Sequence, residues 1–391
     1  MKNNLRPTDV SIANWREPLF SRWSFQHVRE LIPTAQIRAA YPIKASVDEA
    51  TLDVGALRVP LAKGRSIGLD QFLIDSATTG LTLLKDGKTL LNWVARDCDG
   101  REPHLLFSVS KSITGLLVGI LTGQGKMSPD DLVTDYLPEL TGSAYGDECT
   151  IRHLLDMTVS LDFTEDYNDP ESAFGRYRRA MLWNPVDMTR PNLNLLTFAQ
   201  SLPRLPRPHG EAFFYASPTS DVLGMVVERA GGASFANLVS NLLWSKMAFG
   251  SDAYVTVDGA GHARAAGGIC VTVDDLARLG EMVLNQGRVG DNQIVPRDWI
   301  ADMWSGGDRE IWRKSGSPLL PNGQYRSQWY QVGDKNSCLC AIGIHGQWIY
   351  IDPVQKMVIA KTSAQQIPVD DDLDRDCLSV FSHLAESMGH R

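Results

Sequence analysis

The sequence predicts a mixed α/β fold: an antiparallel sheet flanked by helices, with a mostly helical lobe inserted. Three observations predict it. "TGLTLLKDGKTLLNWVARD" alternates strand-forming residues around Asp86-Gly87, a hairpin signal. Helical patterns then dominate from about residue 108. Strand patterns return after about residue 255 and close on a helix. The expected division is an α/β lobe from 1–107 and 256–391 and a helical lobe from 108–255. A cleft between two such lobes is a common place for a site.

The 391 residues are 43% hydrophobic and 21% charged, enough to bury a large core. The formal net charge of −8 argues against nucleic-acid or anionic-membrane partners. The six cysteines (98, 149, 270, 338, 340 and 377) show no C-x-x-C or zinc spacing. Six free thiols suit a reducing cytoplasm. "MKNNLRPTDVSIANWREP" lacks the apolar core of a signal peptide. Ile113 to Leu121 is too short to span a bilayer. A soluble, cytoplasmic chain is expected.

Residues 1–65 carry no clear pattern. After the hairpin comes "HLLFSVSKSITGLLVGIL", in which a polar cluster enters a densely apolar helix. In "KMSPDDLVTDYLPEL", Ser128 reads as an N-cap ahead of Pro129 and Asp131. Thr150 reads as the cap of "TIRHLLDMTVSL". Residues 164–208 read as irregular chain with short helices. "SPTSDVLGMVVERAGG" and "SFANLVSNLLWSKM" are helical, divided by Gly231-Gly232. "VTVDDLARLGEMVLNQG" is a helix with Asp274 and Asp275 in its first turn and Gly287 past its end. "QWYQVG", "LCAIGIHGQWIYID" and "KMVIAKTS" are strand-like, with a turn at Asp352-Pro353. "DLDRDCLSVFSHLAESM" closes the chain as a helix.

Ser108 and Lys111, three apart at a helix start, share one face. A buried lysine with a lowered pKa can take a serine's proton, and helix-start N–H groups can hold an oxyanion. The plainer alternative makes Ser108 an N-cap and Lys111 a surface lysine. Against it, this is the only S-x-x-K in the chain and it lies between two apolar runs. Tyr215, leading into Ala216-Ser217-Pro218, can present a phenol to a cleft for proton transfer; alternatively it is a core aromatic. His345, flanked by Gly343 and Gly346 in a strand pattern, is either structural or near a ligand. The N–H of Gln347, read on an exposed strand, is a candidate second oxyanion donor. Arg176, Arg178 and Arg179 read as a solvated face, with anion contact as the lesser option. No H-E-x-x-H, G-x-G-x-x-G or P-loop occurs, so no metal or cofactor is expected.

Ser108-x-x-Lys111, Tyr215-x-Ser217 and Ile344-His345-Gly346 occur in an order that resembles the serine β-lactamase and DD-peptidase superfamily, in its class C-like branch. "LLFSVSKS", "LLDMTVSLDFTEDYNDP", "FFYAS", "GGICVTVDDLARLG" and "GIHGQWIYIDP" together resemble the 6-aminohexanoate-dimer hydrolases over nearly the whole chain. The resemblance implies that fold, and Ser108 as acylated nucleophile. Lys111 and Tyr215 would shuttle protons, and the Ser108 and Gln347 N–H groups would form the oxyanion hole. Ser217 stands where the superfamily has asparagine. Tyr167 matches a substrate-contacting tyrosine, and Ile344, His345 and Gly346 would border the substrate.

Ile344-His345-Gly346 replaces Lys-Thr-Gly and so lacks the cation that would hold a β-lactam carboxylate. The loop after Tyr167 offers Glu171 early and then arginines, with no acid placed at the point where the nylon-oligomer enzymes carry one for the substrate amine. The resemblance therefore implies hydrolysis of small esters and linear amides. A β-lactamase or DD-peptidase, or a non-catalytic ligand-binding relative, stands as the alternative. The partner would be a small molecule, and a homodimer is left open.

Overall fold

The Asp86-Gly87 hairpin forms, and both residues take positive φ, 48° and 80°. That geometry matches the twist of antiparallel strands. The turn joins β1 (Thr78–Lys85) to β2 (Lys88–Val94) in a computed structural model that describes residues 6–40, 52–165, 169, 171–187, 189, 193–247 and 249–389. Five more strands come from the C-terminal part: β3 (Gln324–Arg326), β4 (Trp329–Gln331), β5 (Leu339–Gly343), β6 (Gln347–Asp352) and β7 (Met357–Ser363). The sheet runs β3-β4-β5-β6-β7-β1-β2, with every neighbouring pair antiparallel. Ile359 opposite Leu83 ties the chain's two halves together.

Alternation along these strands fills two cores. Ile349, Ile351, Val358 and Ala360 belong to one, and Trp348, Tyr350, Met357 and Ile359 to the other. Side chains of period two face opposite sides of a sheet, so both faces are covered. The helices that matter for the site and its support are α1 (Val109–Gly123), α2 (Ala173–Ala180), α3 (Ser217–Gly231), α4 (Val273–Leu284) and α5 (Asp371–Gly389). Helix α4 lies on the first face; a Cβ on its Gly280 would meet Val358 Cγ1 at 2.6 Å, so glycine permits the close approach. Helix α5 covers the second through Val380, Phe381 and Leu384. Helix α1 is buried from Val109 to Leu121 and packs against α3. A small sheet of Thr34–Ile37, Ala253–Thr256, Ile269–Val271 and His104–Leu105 delivers the chain into α1.

The cap at Thr150 accepts the expected bond from His153, and Thr272 caps α4 by accepting the Asp275 N–H. Ser128 differs. It closes a turn in which the Asp131 N–H bonds its carbonyl, and the helix begins only at Val133. A bridge between Leu132 and Thr150 holds the intervening chain extended. The strand-like run around His345 also differs. It breaks at residues 344–346 into the β5–β6 hairpin, with His345 and Gly346 at φ 60° and 82°. All six cysteines are free and buried. Among the described residues, no helix is long and apolar enough to cross a membrane.

Candidate active site

The chain reverses sharply before Ser108. Phe107, fully apolar and buried, takes φ 46°, a left-handed conformation that is costly for a bulky residue. This kink lets strand His104–Leu105 hand over directly to α1, with Ser108 at its start. Lys111 follows one turn later and is 1% exposed. Its Nζ donates to Ser108 Oγ at 3.0 Å, Ser217 Oγ at 3.1 Å and the Ala266 carbonyl at 2.8 Å. Burial pushes its pKa down to about 7, with Arg264 acting in the same sense against Glu165 and Asp221. At neutral pH much of the amine is therefore unprotonated.

Tyr215 lies against this amine, its ring centroid 4.9 Å from Lys111 Nζ. Burial holds the phenol well above its usual pKa, with Tyr330, Tyr325 and Glu165 adding to the effect; only a hydrogen bond with Ser108 opposes it. The resting phenol thus stays protonated. The structure also brings in Glu165, which sequence reasoning missed. Its Oε1 accepts the Ser217 N–H at 2.6 Å, fixing the start of α3. The only sequence signal was its place in "LDFTEDYNDP".

A second cluster supports the first. Asp221, 2% exposed, accepts the Ala266 N–H at 2.8 Å and pairs with Arg264 at 2.7 Å. Tyr177 donates to the same carboxylate. The Ala266 peptide is therefore held on one side by Asp221 and presented on the other to Lys111. Ser110 and Ser112 are more than helix-start residues. Ser110 Oγ accepts the Ile269 N–H at 3.1 Å, and Ser112 donates to the Gln328 carbonyl at 2.7 Å.

Two cavities meet at Ser108. The smaller is bordered by Arg16, Arg178, Trp183 and Ile344 among others. The larger is bordered by Glu165, Tyr215, Tyr330 and again Ile344. The 344–346 segment needs correction here. Of its three residues only Ile344 faces the cavities. The His345 ring turns inward, 5.1 Å from Phe25 and from Phe107, with Nδ1 against the Gln365 carbonyl at 2.7 Å. Burial lowers its pKa to about 4, so it is neutral. Gly346 lies behind the turn, where a Cβ would meet Gln365 Oε1 at 2.9 Å. Gln347 is not on an exposed strand. It is wholly buried on central β6 and borders neither cavity. Its amide donates to the carbonyls of His345 at 2.9 Å and Ser363 at 2.7 Å, which fastens the turn. Tyr167 lies outside the described residues.

The family model described as Beta-lactamase matches residues 74–378. The chain belongs to the β-lactamase family. A 6-aminohexanoate-dimer hydrolase from Paenarthrobacter ureafaciens is 34% identical over 362 residues, covering 92% of this chain and 89% of that protein. A solved Bacillus anthracis structure assigned as a 6-aminohexanoate-dimer hydrolase superposes with a TM-score of 0.87 at 24% identity, covering 98% and 97% of the two chains. EstCE1, a hydrolase with promiscuous acyltransferase activity, shares the fold at a TM-score of 0.59 and 19% identity, over 80% and 96%. This β-lactamase-family chain is a hydrolase in the 6-aminohexanoate-dimer hydrolase branch.

Proposed function

We propose that Ser108 is the nucleophile of an acyl-enzyme hydrolase acting on small carboxylic esters and linear amides. The observation that carries this is Lys111, with a pKa near 7, holding Ser108 Oγ at 3.0 Å. Unprotonated Lys111 keeps two N–H donors for Ser217 and Ala266 and turns its lone pair to the Ser108 hydroxyl. Oγ attacks the carbonyl carbon as its proton passes to Nζ. The oxyanion forms against the Ser108 and Ile344 N–H groups, neither of which bonds a described residue. Gly343 supports the pairing of these two donors: a Cβ there would lie 3.2 Å from Ser108 N. Ile344 thus takes the role expected of Gln347. Tyr215 then gives its proton to the leaving oxygen or nitrogen and regains one from Lys111. Water repeats the sequence on the acyl-enzyme and frees the acid.

The site lies, in this reading, between a helical lobe and the sheet-bearing lobe, with Ser217 bordering the substrate. Six free buried thiols support a cytoplasmic setting. Ser108→Ala is expected to abolish p-nitrophenyl ester turnover while leaving the circular dichroism spectrum unchanged; retained turnover refutes the assignment. A panel of esters, the 6-aminohexanoate dimer and nitrocefin ranks the substrate classes. The β-lactam reading finds no cation at residues 344–346, so nitrocefin should be the slowest.

A further inference from the structure

Strands β3 and β4 are joined by two residues, Ser327 and Gln328, which take φ 51° and 69°. Two-residue hairpins with both φ positive are usually built from asparagine and glycine. Here both residues carry a Cβ, and both are buried. Such strain persists only where the surroundings hold it. The Ser327 N–H donates to Asp156 Oδ1 at 2.9 Å and the Gln328 N–H to the Leu155 carbonyl at 3.0 Å. Three further bonds fasten the turn to the two helices that carry the site. Ser112 of α1 donates its hydroxyl to the Gln328 carbonyl at 2.7 Å, and its carbonyl accepts the Trp329 Nε1–H at 3.2 Å. Ser220 of α3 donates to Gln328 Oε1 at 2.6 Å. Gly115 of α1 leaves the room, since a Cβ there would collide with the Ser327 carbonyl.

The strand fastened in this way carries Tyr330, opposite Tyr325 in the hairpin. The Tyr330 ring meets that of Tyr325 at 4.7 Å and that of Trp312 at 6.0 Å. Tyr215 packs against the same cluster, and both Tyr215 and Tyr330 border the larger cavity beside Ser108. The two phenols share a hydrogen bond. Burial raises the pKa of each, with Glu165 pushing the same way, so both keep their protons at rest and either can donate. That symmetry ends during reaction. Once Tyr215 has passed its proton to the leaving group, its oxygen is an anion that can only accept. Tyr330 is then the donor, and a hydrogen bond to an anion is about twice as strong as one between neutral groups.

Resting on the acyl-enzyme reading above, we infer that Tyr330 is a positioning residue for Tyr215, orienting its phenol at rest and stabilising the phenolate that forms as the leaving group departs. The bond from the carbonyl carbon to the leaving atom breaks, and that atom's electron pair takes the Tyr215 proton. The Tyr330 O–H holds the charge left on Tyr215 until Lys111 returns the proton it took from Ser108. Tyr330 keeps its own proton throughout. The benefit is confined to leaving groups that need a proton, which extends the reaction from activated aryl esters to alkyl esters and linear amides.

The test compares kcat/KM for p-nitrophenyl, phenyl and ethyl butyrate, which share one acyl part. Nitrophenolate departs without a proton, whereas ethanol must receive one. Tyr330→Phe should lose about ten- to a hundredfold on ethyl butyrate and only about threefold on p-nitrophenyl butyrate, with phenyl butyrate between them. Equal losses on all three would mark a merely structural role and overturn the inference, as would an undiminished rate on ethyl butyrate. Tyr325→Phe alters the same ring cluster but borders neither cavity at Ser108, so it should keep the wild-type ratio. A ratio moved as far by Tyr325→Phe would assign the effect to packing and overturn the inference too. Turnover retained by Ser108→Ala, or a wild type inert to all three esters, refutes the acyl-enzyme reading and this inference with it; equal losses in Tyr330→Phe refute the inference alone.

Discussion

Two walls face each other across Ser108, and each is fastened by buried polar groups in a different way. The wall formed by the start of α1 points its functional atoms at the site and holds them by side chains that reach other elements: Lys111 to Ser217 and Ala266, Ser110 to Ile269, Ser112 to Gln328. The β5–β6 turn offers backbone and the apolar Ile344. The Gln347 and His345 side chains point away and, with Lys361 of β7, hold the turn through the carbonyls of Ser363, Gln365 and Gly346. On the proposed mechanism one wall carries the chemistry and the other sets the distance. A polar group buried in the first can be needed for reaction; one buried in the second is needed for shape.

Substitutions can break that contrast. The largest effect should come from Ser108→Ala, with a loss of at least about 10⁴-fold in kcat for p-nitrophenyl esters and little change in melting temperature. Lys111→Met should follow, at about 10²–10⁴-fold. The wild-type pH profile sharpens this result. On the proposed mechanism, with the neutral amine as base and its pKa near 7, kcat/KM should rise with pH through about 7 and then level off. The rise should vanish in Lys111→Met.

On the facing wall, Gly343→Ala puts a methyl 2.5 Å from the Leu106 carbonyl. It should lower kcat about ten- to a hundredfold by moving the turn, with the pH midpoint unchanged. Gln347→Ala should cost about 2 kcal/mol in urea unfolding, since it leaves buried backbone carbonyls unsatisfied. Its activity loss should be smaller than that of Gly343→Ala. The smallest effect is expected for Ser110→Ala, about 1 kcal/mol of stability with activity near wild type. If Gln347→Ala instead shifted the pH midpoint, the division between the two walls would fail.

Much of this was legible in the chain. The Asp86-Gly87 turn, the Thr150 cap and the strand-like run around Ile359 are local signals, and local geometry obeys them. Ser108 and Lys111 were legible because a lysine between two apolar runs demands buried partners. The partners themselves were less so. Tyr215 and Ser217 drew notice only through their order along the chain. Asp221 and Ala266 gave no signal, and Glu165 only its place in "LDFTEDYNDP", since their roles arise from contacts between elements far apart in sequence. The hairpin at Ile344 was hidden because Gly343 and Gly346 read equally well as a strand near a ligand. Arg178 read as solvated because its neighbour Arg176 is; Tyr177 between them is buried, so the helix turns one arginine outward and the next toward the cavity.

The left-handed Phe107 has a wider consequence. Its ring packs on Phe25 at 4.9 Å and on Trp183 at 5.9 Å, and Trp183 in turn meets Trp15 at 5.4 Å. Trp15, Arg16 and Phe25 all precede residue 74, where the family match begins. The segment that gives this chain one side of its smaller cavity thus lies ahead of the residues that the family model matches. It is not detachable: Trp15 and Phe25 are wholly buried, and the Phe25 carbonyl accepts the Leu105 N–H two residues before the kink. A stretch outside the matched region therefore serves as the footing of the turn that presents Ser108.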